Sequence, residues 1–69
     1  MANLSSRLRQ LKKEQNLTQI EIANSIGISI RAYQYYESGV RNPDTIILGK
    51  MADYFQVSTD YLLGRVDEP

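Results

Sequence analysis

Catalysis by a small protein draws on a short list of side chains, and this sequence lacks the two most versatile. It has no His and no Cys, which removes the usual neutral-pH base, the thiolate nucleophile and the transition-metal ligands. Ser, Asp, Glu, Lys and Tyr remain, but no constellation of them supports a reaction class, so neither an enzyme nor a cofactor or metal site is expected. The groups that stand out instead are suited to recognition. Arg31 and Gln34 are planar, multi-donor side chains that bind by paired hydrogen bonds rather than by making covalent ones. They share one side of a short segment with Ile30 and Tyr35.

Sixty-nine residues allow one small domain. A core of this size supplies about 3–5 kcal/mol of net stability, and without Cys or His neither disulfides nor zinc can reinforce it, so the fold must be helix-rich and compact or oligomeric. The longest apolar run, Ile46-Ile47-Leu48, is far too short to span a bilayer, and the start at Met1 lacks a signal-peptide apolar core. A protein of the cell interior with no membrane association and no small-molecule ligand is expected. Eight basic residues balance eight acidic ones, but unevenly. Up to Arg41 there are six basic and three acidic residues, a net +3, and from Asn42 onward two basic and five acidic, a net −3. Such polarity suits a domain with one face toward phosphate and another toward protein or solvent, unless it is a chance split of the charges.

The elements that must position Arg31 and Gln34 read as helices throughout. Leu4, Leu8 and Leu11 recur at one helical face, predicting a helix over residues 4–15 with Arg7, Arg9, Lys13 and Glu14 on its other faces. Thr18 and Glu21 have capping-box spacing for a second helix through Ile22, Ala23 and Ile26, which Gly27 ends. Ser29 caps a third helix that carries Tyr33 and Tyr36 inward and stops at Gly39. Asn42-Pro43 reads as a cap followed by proline at the first helical position, opening a fourth helix with Leu48, Met51, Ala52 and Phe55 inward. Ser58 caps a short fifth helix holding Leu62 and Leu63, which Gly64 ends. The expected fold is all-α and five-helical, a single domain over residues 1–66 with a frayed tail at 67–69.

Only Gly27 and Ile28 are available to turn the chain between Ile26 and Ser29, which forces a sharp corner. Two short helices joined by such a glycine-containing turn form a helix-turn-helix. Packing Tyr33 and Tyr36 inward leaves Ile30, Arg31, Gln34 and Tyr35 facing out. The stretch Leu17-Thr18-Gln19 through Ala23, with Gly27-Ile28-Ser29, Tyr36-Glu37-Ser38-Gly39 and Asn42-Pro43, resembles the phage lambda-type repressor and Cro family, also called xenobiotic-response-element regulators. The resemblance runs from about Leu8 to Leu63.

It implies a transcriptional regulator, most often a repressor, that binds a near-palindromic operator in double-stranded DNA as a homodimer, with the third helix in the major groove. Ile30, Arg31, Gln34 and Tyr35 match the positions facing base edges, where Arg pairs with guanine, Gln with adenine, and Ile or Tyr packs on a thymine methyl. Gln19 matches the family's glutamine at the start of the second helix, where side chain and helix N-terminus hold a phosphate. Ser29, Ser38, Arg41 and Asn42 fall at the phosphate-gripping turns. Lys12 and Glu37 match an Arg–Glu pair tying the first helix to the third, with Lys replacing the bidentate Arg. Tyr33 and Tyr36 depart from the usual aliphatic residues, and Ile20 from a polar one.

Ile46, Ile47, Tyr54 and Tyr61 exceed what one inward stripe requires. The resemblance puts a dimer contact at the junction of the last two helices, making Tyr54, Val57, Ser58 and Tyr61 its expected residues; the alternative is that Ile46 and Ile47 complete the monomer core and the tyrosines cover it. A competing functional reading is a protein-interaction module of the same fold, antitoxin-like or sigma-binding. The regulator reading implies a cytoplasmic, nucleoid-associated protein of a bacterium or phage.

Overall fold

Local capping chemistry accounts for where each helix begins. The computed structural model describes residues 3–69, so Met1 and Ala2 of the expected domain lie outside the described residues. Those residues contain α1 (Leu4–Glu14), α2 (Gln19–Ile26), α3 (Ile30–Ser38), α4 (Thr45–Phe55) and α5 (Thr59–Leu62), and no strand. The fold is the five-helix, all-α arrangement expected. Asn3 opens α1 in a capping box with Ser6, and Thr18 does the same for α2 with Glu21. Ser29 and Ser58 accept the backbone N–H groups of Ala32 and Tyr61 to open α3 and α5.

Gly27 closes α2 at φ +77°. A Cβ added there would meet nothing within 4 Å, so the requirement for glycine comes from the left-handed backbone rather than from crowding. The Ile28 N–H reaches back to the Ala23 carbonyl at 3.0 Å, and the chain re-enters a helix at Ile30.

The start of α4 differs from the expectation at Asn42-Pro43. Asp44 is the cap, its carboxylate accepting the Ile47 N–H at 2.8 Å, and the helix begins at Thr45. Both Asn42 and Asp44 are favoured cap types, but an anion gains additionally from the positive end of the helix dipole.

The core is assembled from all five helices. Leu8, Ile22, Tyr33, Met51 and Leu62 are fully buried, with Leu4, Leu11, Ala23, Ile26, Ala52, Phe55 and Tyr61 around them. Helix α3 packs against both α1 and α2, while α4 closes on α2 and α5. Ala23, 1% exposed, gives α2 a small side chain in the packed core of the motif. Leu48 of the expected inward stripe is only partly buried.

Arg7 overturns its assignment to a polar face of α1, for it is 6% exposed. Its Nε donates to the Tyr61 carbonyl at 2.9 Å, Nη2 donates to the Val66 carbonyl at 3.2 Å, and the guanidinium lies 3.8 Å above the Tyr61 ring. Position 7 falls between Leu4 and Leu11 on the apolar stripe, and a guanidinium is tolerated there because its donors are met and its plane is stacked.

Tyr61 is consequently 5% exposed, with its hydroxyl accepting from Gln10 Nε2 at 3.1 Å. It is part of the monomer core, not an outward surface residue, and belongs apart from Tyr54, Val57 and Ser58. The other surplus apolar residues are also mostly absorbed: Ile47 and Tyr54 pack against the core, leaving Ile46 69% exposed. Near the chain end, the Ser58 N–H donates to the Pro69 carbonyl at 3.0 Å. No helix among the described residues is long and apolar enough to cross a membrane.

Candidate nucleic-acid interface

The outward side of α3 follows from what its inward side must do. Tyr33 and Glu37, four residues apart, are both buried. Ile30, Arg31 and Gln34 are exposed on the remaining surface, and Tyr35 is half-buried. Arg31 makes no ion pair among the described residues, so its guanidinium is available to an incoming acceptor.

Behind this surface lies a polar network that joins three helices. Lys12 Nζ of α1 is 2.9 Å from Glu37 Oε1 near the end of α3. Gln19 Nε2, at the first position of α2, donates to the same carboxylate oxygen at 3.2 Å, and Gln34 Nε2 donates to Gln19 Oε1 at 3.1 Å. Burial pushes the Glu37 carboxyl up, but the Lys12 ammonium, the adjoining Tyr33 hydroxyl and the Gln19 amide outweigh it and hold the group below its ordinary value. Tyr33 is shifted the other way, by burial first and then by Glu37. The Tyr33 hydroxyl and Glu37 Oε2 are buried without a well-formed hydrogen bond among the described residues. The hydroxyl that replaces an aliphatic side chain here thus adjoins the carboxylate, which bears on its titration, rather than reaching water.

The C-terminal end of α3 is clamped from α1. Ser5 Oγ donates to the Glu37 carbonyl, and Arg9 Nη1 donates to it at 3.1 Å. A cation at the negative end of a helix is favourable, and this contact satisfies a carbonyl with few intrahelical options. Sequence reading missed Ser5 and Arg9, because the partner is a backbone atom 28 residues from Arg9. It also missed Arg7, for which the position within the leucine stripe was an available signal.

At the turn after α3, the Arg41 guanidinium lies 4.9 Å from the centre of the Tyr35 ring, a stacking that holds a cation beside the exposed helix face. Ser38 Oγ donates to the Tyr35 carbonyl at 3.2 Å, so its hydroxyl proton is engaged within the helix. The Ser29 hydroxyl accepts from Ala32 and retains its proton for another acceptor. Asn42 is exposed. The structure therefore brings Gln19, Gln34, Lys12 and Glu37 into one network and pairs Tyr35 with Arg41, while Ile30 and Arg31 stand on the open face. Tyr54 packs edge-on against Phe55 with ring centres 5.2 Å apart, on the α4 side of the molecule. An open groove of about 550 Å³ beside it, lined by residues including Asn24, Gly27, Lys50 and Asp53, contains none of the α3 face residues.

A short, glycine-turned helix pair whose second helix is braced from behind and open in front defines the helix-turn-helix class. Residues 8–62 match the family model described as helix-turn-helix, and the chain belongs to this family, in which the relatives it matches are named as HTH-type transcriptional regulators or repressors. It is 41% identical over 63 residues to the uncharacterised HTH-type transcriptional regulator YobD of Bacillus subtilis, covering 91% of this chain and 56% of that one. It is 42% identical over 62 residues to the cryptic phage CTXphi transcriptional repressor RstR of Vibrio cholerae, covering 90% of this chain and 55% of that one. The chain spans about half the length of these curated relatives. Among solved structures, the P22 c2 repressor in complex with a synthetic operator superposes with a TM-score of 0.86 at 25% identity, over 91% of this chain and 96% of the repressor.

Proposed function

We propose that the chain is the DNA-binding part of a sequence-specific transcriptional regulator, a repressor that binds a near-palindromic operator as a homodimer with α3 in the major groove. The observation that carries this reading is the division of α3 into a buried, clamped side holding Tyr33 and Glu37 and an exposed side offering Ile30, Arg31 and Gln34. A rigid helix with base-matching donors facing out is what direct readout requires. The P22 c2 repressor, of the same fold, has been solved on an operator, which supports the reading by similarity.

In this scheme Arg31 and Gln34 read base edges, Ile30 and Tyr35 pack against bases or sugars, and Gln19, Ser29, Arg41 and Asn42 hold phosphates, with Ser38 joining them when its hydroxyl turns from the Tyr35 carbonyl to the DNA. Gln19 keeps a second amide N–H for phosphate beside the one given to Glu37. Tyr54, Val57 and Ser58 form the dimer contact without Tyr61. Two-fold symmetry would then set half-sites about 34–36 Å apart, one turn of DNA. Such a regulator works on the chromosome in the cytoplasm.

Selection from a random duplex library, followed by titration of the winner at two salt concentrations, tests the proposal. The expected result is an enriched palindrome bound far more tightly than scrambled DNA. Arg31→Ala should weaken it by about 1–3 kcal/mol and relax one base position, whereas Arg41→Ala should weaken all duplexes alike. No enrichment, with a monomeric protein that co-purifies with another protein, would replace this reading with an interaction module of the same fold.

A further inference from the structure

A primary amide has two chemically unlike ends, and its orientation is dictated by what each neighbour can do. The Glu37 carboxylate, held ionised beside Lys12, only accepts hydrogen bonds. The Gln19 amide must therefore turn Nε2 toward it, as it does at 3.2 Å. Gln19 Oε1 is then left facing Gln34, and an oxygen there obliges Gln34 to approach with Nε2, at 3.1 Å. One N–H of Gln34 is thus committed inward. Its carbonyl oxygen and second N–H remain for whatever meets the exposed face of α3.

We propose that Glu37 is a positioning residue for base recognition: acting through Gln19, it sets the amide polarity of Gln34 so that the Gln34 carbonyl is presented to an amino-bearing base, adenine or cytosine. This deepens the DNA-binding reading and rests on it. Adenine, with its N6 amino donor beside the N7 acceptor, complements both remaining groups of Gln34. Guanine O6 and thymine O4 could be met only by the second N–H, leaving the Gln34 carbonyl without a donor. The direction of the relay comes from the charge at its root. A neutral amide at position 37 could donate as well as accept, and Gln19 and Gln34 would then be free to take either orientation.

The experiment uses the duplex selected by the intact protein and reads base preference at single positions, normalised to affinity for scrambled DNA. Gln34→Ala identifies the position that Gln34 reads. There, replacing adenine or cytosine with an analogue lacking the exocyclic amino group should weaken the unmodified protein about tenfold. The same replacement should change binding by less than about twofold in Glu37→Gln and in Gln19→Ala, each first checked for its helical signal and melting temperature. Gln19→Ala leaves the Lys12–Glu37 pair intact, so the test survives if Glu37→Gln fails to fold. Loss of overall affinity with unchanged base preference in both variants would overturn the relay, as would an unmodified protein indifferent to the missing amino group. A Gln34→Ala variant that alters no position would overturn it too. Failure of the intact protein to select any sequence would be a different result: it would remove the DNA-binding reading itself and the relay with it.

Discussion

Replacing Arg7 with Met isolates the contribution of a buried guanidinium, because Met retains an unbranched stem for packing but none of the donors. Four contacts are lost from a side chain only 7% exposed, one of them the half-buried Nη1 bond to Gln10 Oε1 at 3.1 Å, which adds up to about 1 kcal/mol. The Nε bond to the Tyr61 carbonyl at 2.9 Å is buried and charge-assisted, a class contributing about 1.5–3 kcal/mol. Stacking at 3.8 Å over the Tyr61 ring adds about 1–2 kcal/mol where water is excluded. The half-buried bond to the Val66 carbonyl at 3.2 Å adds up to about 1 kcal/mol. Asp67, 4.0 Å away and fully exposed, adds nothing to this sum. Two effects reduce it: the Gly64 N–H still serves the Tyr61 carbonyl at 3.0 Å, and Met avoids the desolvation that a guanidinium incurs.

The expected net loss is about 2–3 kcal/mol, a large share of the ~3–5 kcal/mol that a core of this size supplies. Urea unfolding followed by circular dichroism should show the midpoint falling by about 2–3 M, given a slope of about 1 kcal/mol/M for a small domain. At temperatures where the variant remains folded, its operator preference should match that of the unmodified protein, since Arg7 lies on the α1–α5 side. A midpoint shift below about 0.5 M would refute the claim that Arg7 ties α1 to α5.

Gly27→Ala should destabilise the domain by about 1–2 kcal/mol through left-handed backbone strain alone, and a thermal melt indistinguishable from that of the parent would show that the turn relaxes. Asp44→Ala should lower stability by about 1 kcal/mol as a lost cap, whereas Asn42→Ala should leave the melt unchanged and weaken DNA binding without altering sequence preference; the reverse pattern would return the cap to Asn42. For Glu37, a folded-state pKa held below the ordinary carboxylate value of about 4.3 means that its stabilisation is fully present above that value and is lost as pH falls through the lower, folded-state one. The stability gap between the parent and Glu37→Gln should accordingly be widest near neutrality and shrink in acid. A gap that stays constant on acidification would show that the charge on Glu37 does not matter.

Most helix boundaries were legible because they obey rules acting over three or four residues. Thr18 with Glu21, Ser29, Gly27 and Gly39 each satisfy or end a helix using neighbours in the chain, and the leucines of α1 mark its inner face by spacing alone. The start of α4 escaped that reasoning because two good caps, Asn42 and Asp44, stand two residues apart, and local rules give them similar weight. Tyr61 was misplaced for a different reason: aromatic surplus reveals that area must be buried, not whether the cover is another copy or Arg7 of the same chain.

The amino-acid sequence by itself determined the helix-turn-helix, since a glycine corner between two capped amphipathic segments has few other ways to bury Ile22, Ala23, Ile26 and Tyr33. It also determined which residue types stand on the open side of α3, because the helical period assigns faces once the inner one is known. Only the tertiary structure decided how those side chains are held. The links from Lys12 to Glu37, from Glu37 to Gln19 and from Gln19 to Gln34 span 25, 18 and 15 residues of chain, and Arg9 reaches the end of α3 across 28. No local propensity encodes such contacts. They exist because packing α1, α2 and α3 around one core buries Glu37, whose acceptors must then be met by the donors that the fold brings beside it, with the more exposed Gln34 joining at the edge.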